Sequence, residues 1–380
     1  MTFALSKFIC MRIACAAALL LFSCSECRAD ELLGLPSSSC APANAHTETL
    51  VPLGSRLFAD KRFSSDGTIS CATCHEPQNA LSDGRTVARG VRGMHGTRNT
   101  PSLWNVCYLT SQFWEGRRQT LEQQAKDPLL NPREHGIDIT RVLAVVRGDP
   151  EYRTAFPAAF GVRLDQVDIE HVSRALAAFE RTLVAGNAPF DRYLYGKKED
   201  ALSPAARRGF ELFRGRAQCS SCHLIEAQHA LFTDQQFHRL GVGWEVIAPD
   251  LPRLTTQVAS MSVQALDRAI SENARIAALG RFLITKDPQD IGKFKTPSLR
   301  NVALTAPYMH DGSVPQLGDA VDFELYYRGL ESGVPLIVTP AEKSDLIEFL
   351  RALTSPTATD ALPRLARPGH PARAARAAFP

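Results

Sequence analysis

Apolar residues recur at helical spacing in several separate stretches of this chain, while strand-like alternation is scarce, so the expected fold class is mainly α. Leu53–Phe58 and Phe210–Phe213 are apolar helical segments. From Asp168 to Val184 the same spacing continues until Asn187-Ala188-Pro189 breaks it. Ser203-Pro204 opens another helix in the order N-cap, then first turn. Glu342 to Leu353 forms a last amphipathic helix. The apolar run Ile13–Phe22, with Arg12 just before it, is too short to span a bilayer and reads as an export signal. Cys27-Arg28-Ala29 offers a cleavage point that would remove residues 1–29, and a start at Met11 would give a tidier signal. A second reading takes Leu21-Phe22-Ser23-Cys24 as a lipoprotein box, which would make Cys24 a lipid anchor. Beyond Ser355 the chain is rich in Ala, Pro and Arg, so residues 356–380 are expected to be a disordered tail.

Two stretches match each other. Thr100-Pro101-Ser102-Leu103-Trp104-Asn105-Val106 resembles Thr296-Pro297-Ser298-Leu299-Arg300-Asn301-Val302, and the match runs on weakly to Glu115-Gly116 and Asp311-Gly312. Each copy follows a Cys-x-x-Cys-His run, itself preceded by an apolar helical segment. A duplication is the simplest account. It predicts two homologous domains with long irregular loops, residues 30–200 and 201–355, with an insertion of roughly residues 244–286 in the second.

Composition narrows the class. The chain has 380 residues, of which 44% are hydrophobic and 22% charged, as in soluble globular proteins of two ordinary domains. A formal net charge of +3 does not suggest a nucleic-acid binder. Of ten cysteines, Cys10, Cys15, Cys24 and Cys27 fall in the targeting segment and four in the Cys-x-x-Cys-His runs. Cys40 and Cys107 remain, either as a pair in an oxidising compartment or as separate thiols.

The firmest chemistry lies in Cys71-Ala72-Thr73-Cys74-His75 and Cys219-Ser220-Ser221-Cys222-His223. Two thiols three positions apart can add to the two vinyl groups of one haem, and the histidine after the second then reaches the iron. Cys71, Cys74 and His75 would hold one covalent haem c, and Cys219, Cys222 and His223 another. Two such motifs, each heading a repeat in an exported chain, argue against a zinc or redox CxxC.

Other segments carry a resemblance. They are Leu53-Gly54 through the first motif, Leu81-Ser82-Asp83-Gly84, Thr97-Arg98-Asn99-Thr100-Pro101, Gln112-Phe113-Trp114-Glu115-Gly116-Arg117 and Phe179-Glu180-Arg181-Thr182-Leu183. The second half adds Gly292-Lys293-Phe294-Lys295-Thr296-Pro297 and Tyr308-Met309-His310-Asp311-Gly312. Over about residues 50–353 the chain resembles the bacterial di-haem cytochrome c peroxidase and MauG superfamily. The resemblance implies a peroxide-reacting first haem, with Glu134 as acid/base, Gln124 beside it, Pro128 in the same loop and Trp114 between the haems. It also implies a calcium ion held by Asn99, Thr305 and Pro307.

The chain departs from that pattern in two places. Many of these peroxidases cap the first iron with a histidine, and that position here is Val91; His95, in the same Gly-rich loop, is a candidate substitute. The sixth ligand of the second haem is a methionine or tyrosine in the family, at a position that falls on Glu324 without gaps. A two-residue shift reaches Tyr326, and Met309 is a thioether nearby, so Tyr326, Met309 and neither all stand open. His310 is expected to be a structural hydrogen-bonding residue; His135, His171, His229 and His238 are expected on the surface or in packing. The implied activity is reduction of hydrogen peroxide in the periplasm with electrons from a small cytochrome c or a cupredoxin. The alternative is a MauG-like oxidase that uses its haems as a high-valent store to oxidise a protein partner. The family also suggests a homodimer.

Overall fold

The computed structural model describes residues 32–37, 40 and 47–360. The export signal, Cys24 and residues 361–380 lie outside that range.

Sixteen helices are present among the described residues. The first eight are α1 Thr47–Ala59, α2 Cys71–Cys74, α3 Leu121–Leu130, α4 Ile139–Gly148, α5 Pro150–Phe160, α6 Ile169–Glu180, α7 Pro189–Leu194 and α8 Pro204–Arg214. Then come α9 Trp244–Ile247, α10 Leu251–Ala259, α11 Val263–Glu272, α12 Ala274–Ala277 and α13 Phe282–Thr285, followed by α14 Leu317–Ser332, α15 Pro340–Arg351 and α16 Pro356–Asp360. The only sheet among them pairs β1 Phe237–Arg239 antiparallel to β2 Lys293–Lys295. The mainly α expectation therefore holds. No described helix is long and apolar enough to cross a membrane.

Helix ends follow their capping chemistry. Ser203 accepts from the Ala206 amide ahead of Pro204, as its spacing predicts. Thr339 and Glu342 form a capping box around Pro340, so the last amphipathic helix starts two residues earlier than expected. Asp168 caps α6.

Two helix pairs repeat one packing solution. Gly54 on α1 lies against α6, where a Cβ would run into the Ala175 carbonyl. Gly209 on α8 lies likewise against the Asp345 carbonyl of α15. Around the first pair, Leu57, Phe58, Tyr152, Phe156, Leu176 and Phe179 bury one core. Around the second, Phe190, Phe210, Phe213, Phe232 and Phe349 form another, with ring centroids 4.9–6.3 Å apart.

Three features differ from the sequence reading. The segment 244–286 is a bundle of short helices with its own core of Ile247, Leu254, Val258, Ile270 and Leu283. Helix α7, which the sequence reading placed with the first half, packs into the second core through Phe190. The chain stays ordered past Ser355: α16 follows, and Ala358 is buried in the first core. A buried ion pair fastens α7 further. Arg300 reaches both Asp191 oxygens at 2.9 Å and also donates to the carbonyls of Ala230 and Gly34. Arg300 stands where the first repeat has Trp104, and Asp191 is the partner that makes an arginine tolerable there. Cys40 and Cys107 are disulfide-bonded, with Cα atoms 5.5 Å apart.

Candidate active site

Both Cys-x-x-Cys-His runs are held in the same way. His75 Nδ1 lies 2.9 Å from the Leu81 carbonyl, and His223 Nδ1 lies 2.9 Å from that of Phe232. A carbonyl only accepts, so each Nδ1 carries the proton and each Nε2 keeps its lone pair for a metal. Burial lowers both imidazole pKa values, which keeps the neutral, ligating form. Leu81 and Phe232 both have positive φ, 61° and 54°, an uncommon conformation for bulky residues that turns each carbonyl toward its histidine. The repeat continues outward. Ser82 Oγ donates to Thr100 O and Thr233 Oγ1 to Thr296 O; Ser102 Oγ donates to Ala80 O and Ser298 Oγ to Leu231 O, all at 2.6–2.7 Å. Asn105 and Asn301 share a left-handed backbone, at φ 64° and 61°.

One connected cavity runs past both motifs, lined by Cys74, His75, Cys219, Cys222 and His223. All four motif cysteines are unpaired and half-buried, in a chain whose other described cysteines are disulfide-bonded. Free thiol pairs beside imidazoles whose Nδ1 is already bonded, with all but Cys71 lining one cavity, fit covalent haem at both motifs.

The groups expected around the first haem line this cavity. Gln124 and Pro128 stand one turn apart on α3, and Glu134 follows in the turn after that helix. Asn131 Nδ2 donates to Glu134 Oε1 at 2.5 Å. Burial raises the Glu134 pKa and Asp127 pushes the same way, against the charge of Arg117 and the Asn131 bond. Trp114 donates from Nε1 to the Asn99 carbonyl at 3.0 Å, and its own carbonyl accepts from Lys295 N at 2.8 Å. The tryptophan is thus fixed where the two halves meet. Asn99, Thr305 and Pro307 also line the cavity. His310 is buried and stacked on Phe294 at 3.6 Å, while its carbonyl accepts from Asn99 N.

Three expected placements are corrected. His95, the candidate substitute for the capping histidine, is exposed and does not line the cavity. Its loop is fastened elsewhere: Val91 N donates to Glu134 O at 2.8 Å, and a side chain at Gly90 would collide with the Arg133 carbonyl. Tyr326 is 63% exposed and lies outside the cavity, because a helix turns about 100° per residue and α14 presents Glu324 instead. Met309 does line the cavity. His238 is not a mere packing residue. It lies in the cavity wall, with Nε2 2.7 Å from Asp234 and its ligating atoms within 4.8 Å of Cys222.

Arg98, Glu115 and Arg117 lie in the segments that carry the resemblance, but their joining in one arginine–carboxylate cluster was not anticipated. Burial alone would raise the Glu115 pKa, but Arg117 and Arg98 hold it down to about 2. Arg118 spans Asp127, at 2.9 Å, and Asp267, at 2.8 Å. Asp267 belongs to α11, inside the insertion, and lines the same cavity. The insertion also accepts from Thr97 Oγ1 at Ile270 O and from Arg98 at Ala277 O.

Comparison with known proteins agrees with this geometry. Residues 48–199 match the family model described as di-haem cytochrome c peroxidase. The chain is similar to the "Methylamine utilization protein MauG" of Methylorubrum extorquens, 36% identical over 85% of this chain and 83% of that protein. It is similar to "Cytochrome-c peroxidase IdrP1" of Pseudomonas sp., 35% identical over 88% and 89%. Among solved structures, a MauG-like protein associated with microbial copper homeostasis superposes with a TM-score of 0.68 at 32% identity, covering 90% of this chain and 97% of that one.

Proposed function

This chain belongs to the di-haem cytochrome c peroxidase family and carries two covalently bound haems c, and we propose that it reduces hydrogen peroxide to water at the first of them. The observation that carries the reading is that Glu134 and Gln124 line the same cavity as Cys74 and His75. Cys71, Cys74 and His75 would hold the haem, which would supply the redox-active iron for the reaction. Glu134 takes a proton from the near oxygen of peroxide and returns it to the far oxygen as the O–O bond breaks. Two electrons and two further protons complete two waters. Gln124 orients the substrate through its amide. Trp114, pinned between Asn99 and Lys295, lies on the path from the second haem.

Electrons enter at the second haem from a small cytochrome c or cupredoxin in the periplasm. The two haems belong to two homologous cytochrome c domains, a division supported by the repeated bonds around His75 and His223. Asn99, Thr305 and Pro307, brought to one cavity, would hold a calcium ion between them. Steady-state peroxide reduction with a reduced small cytochrome tests the reading. Glu134→Gln is expected to lower kcat by about 10²–10⁴-fold, and full activity in that variant would sink the assigned role.

One observation favours a second reading, MauG-like oxidation of a partner protein. Val91 has no ligating atom and His95 is exposed outside the cavity, an arrangement that supports an uncapped first iron. Reaction of the fully oxidised protein with peroxide, followed by stopped-flow spectra, separates the two. An immediate long-lived product on both haems favours the oxidase, whereas silence until partial reduction favours a gated peroxidase.

A further inference from the structure

We propose that the second haem takes its distal ligand from the Glu324 carboxylate. The inference rests on the reading that Cys219, Cys222 and His223 hold that haem.

Helix α14 turns one face into the cavity: Leu317, Ala320, Val321, Glu324, Leu325 and Arg328. The spacing is that of one stripe on a regular helix. Four of these side chains are hydrocarbon, and Arg328 is a cation that donates to Ser221 Oγ at 3.0 Å, inside the second motif. Glu324 is the one that brings a lone pair. The Arg328 bond holds α14 against the motif.

Competing donors are placed differently. Tyr326 stands two residues on, about 200° round the helix, and is exposed. His238 lies on β1 beside Cys222 and Asp234, not on the α14 face. Met309 occupies the turn that matches Phe113 of the first repeat, with φ 72° against 67°, and adjoins His310, whose carbonyl accepts from Asn99 across to the other half. Met309 is thus carried by a turn tied to the other half, not by the α14 face.

A carboxylate is a hard, anionic donor, so it stabilises ferric over ferrous iron more than a thioether does. The second haem would then accept electrons reluctantly and retain oxidising equivalents well. This deepens the choice between the two readings above, because it suits a charge store better than a plain entry port.

The test is electron paramagnetic resonance and redox titration of the haem-loaded protein as wild type, E324Q, E324M, Y326F and M309L. A pyridine haemochrome assay confirms two haems per chain in each. Expected are loss of the second haem's ferric signal pattern in E324Q, and a thioether-type low-spin signal with an upward shift of potential in E324M. Y326F is expected to keep the wild-type signal. An unchanged signal and potential in both Glu324 variants overturns the proposal, as does loss of the signal in M309L or Y326F instead. A wild-type chain with no haem at Cys219 and Cys222 removes the underlying reading, a different result. Wild-type protein that fails to reduce peroxide but shows the Glu324 effect rejects the peroxidase activity alone.

Discussion

At the scale of single residues, burial and neighbouring charge decide what the site can do. Glu134 must start as the carboxylate to accept a proton, and its pKa lies above the ordinary glutamate value. Peroxide turnover is therefore expected to fall on the acid side, with an inflection above about 4.3, and this limb should vanish with the activity in Glu134→Gln. A pH–rate profile of kcat/KM checks it. Glu180 is a second case. Burial raises it to about 8, and its Oε2 has no hydrogen-bond partner. The folded chain then keeps a proton that the unfolded chain releases near the ordinary value, so this residue's stability contribution is full below about 4.3 and is lost as pH rises toward 8. Denaturant unfolding at pH 5 and pH 8 should show a loss about 1–3 kcal/mol smaller in Glu180→Gln. The haem cysteines and histidines were legible because covalent attachment fixes their spacing. Glu134 and Gln124 were legible only through resemblance, since a lone acid and amide carry no spacing rule. The two-residue shift that reaches Tyr326 leaves the helical face of Glu324, because residues two apart on a helix cannot share a face.

At the scale of elements, the crossing of α1 with α6 and of α8 with α15 depends on Gly54 and Gly209. A Gly209→Ala change drives a methyl into the Asp345 carbonyl, in a helix that also takes Arg208 on the Asp345 carboxylate at 2.7 Å. Overpacking of this kind is expected to cost about 1–3 kcal/mol, measured by unfolding of the haem-loaded protein. An unchanged midpoint would show that the helices slide apart freely. The long amphipathic helices were readable from their period and caps. The short helices of 244–286 were not, because helices of four to ten residues span too few turns to set a pattern. Residues 356–360 were also misjudged: Ala358 is buried in the first core, a contact that an Ala- and Pro-rich composition hides.

At the scale of the whole molecule, the halves share the first site rather than each owning one. The Trp114 carbonyl takes its bond from Lys295, Arg281 Nη1 reaches the carbonyls of Glu115 and Gly116 at 3.0 Å, and Asp267 neutralises Arg118. Asp267→Asn leaves the arginines less compensated and so favours the Glu134 carboxylate. The acid limb of the pH–rate profile should move to lower pH, and an unmoved limb would mean that the insertion is only a wall. The duplication was visible in the matched Thr-Pro-Ser-Leu stretches, but the placement of the insertion of the second half over the first motif was not, because no local pattern records long-range contact. That placement also sets a timetable. Cys71 to Glu134 precede α11 and α12 in the chain. One wall of the first pocket is therefore the last part of it to be synthesised, and a chain that stops before α11 is expected to leave that side of the pocket open to water.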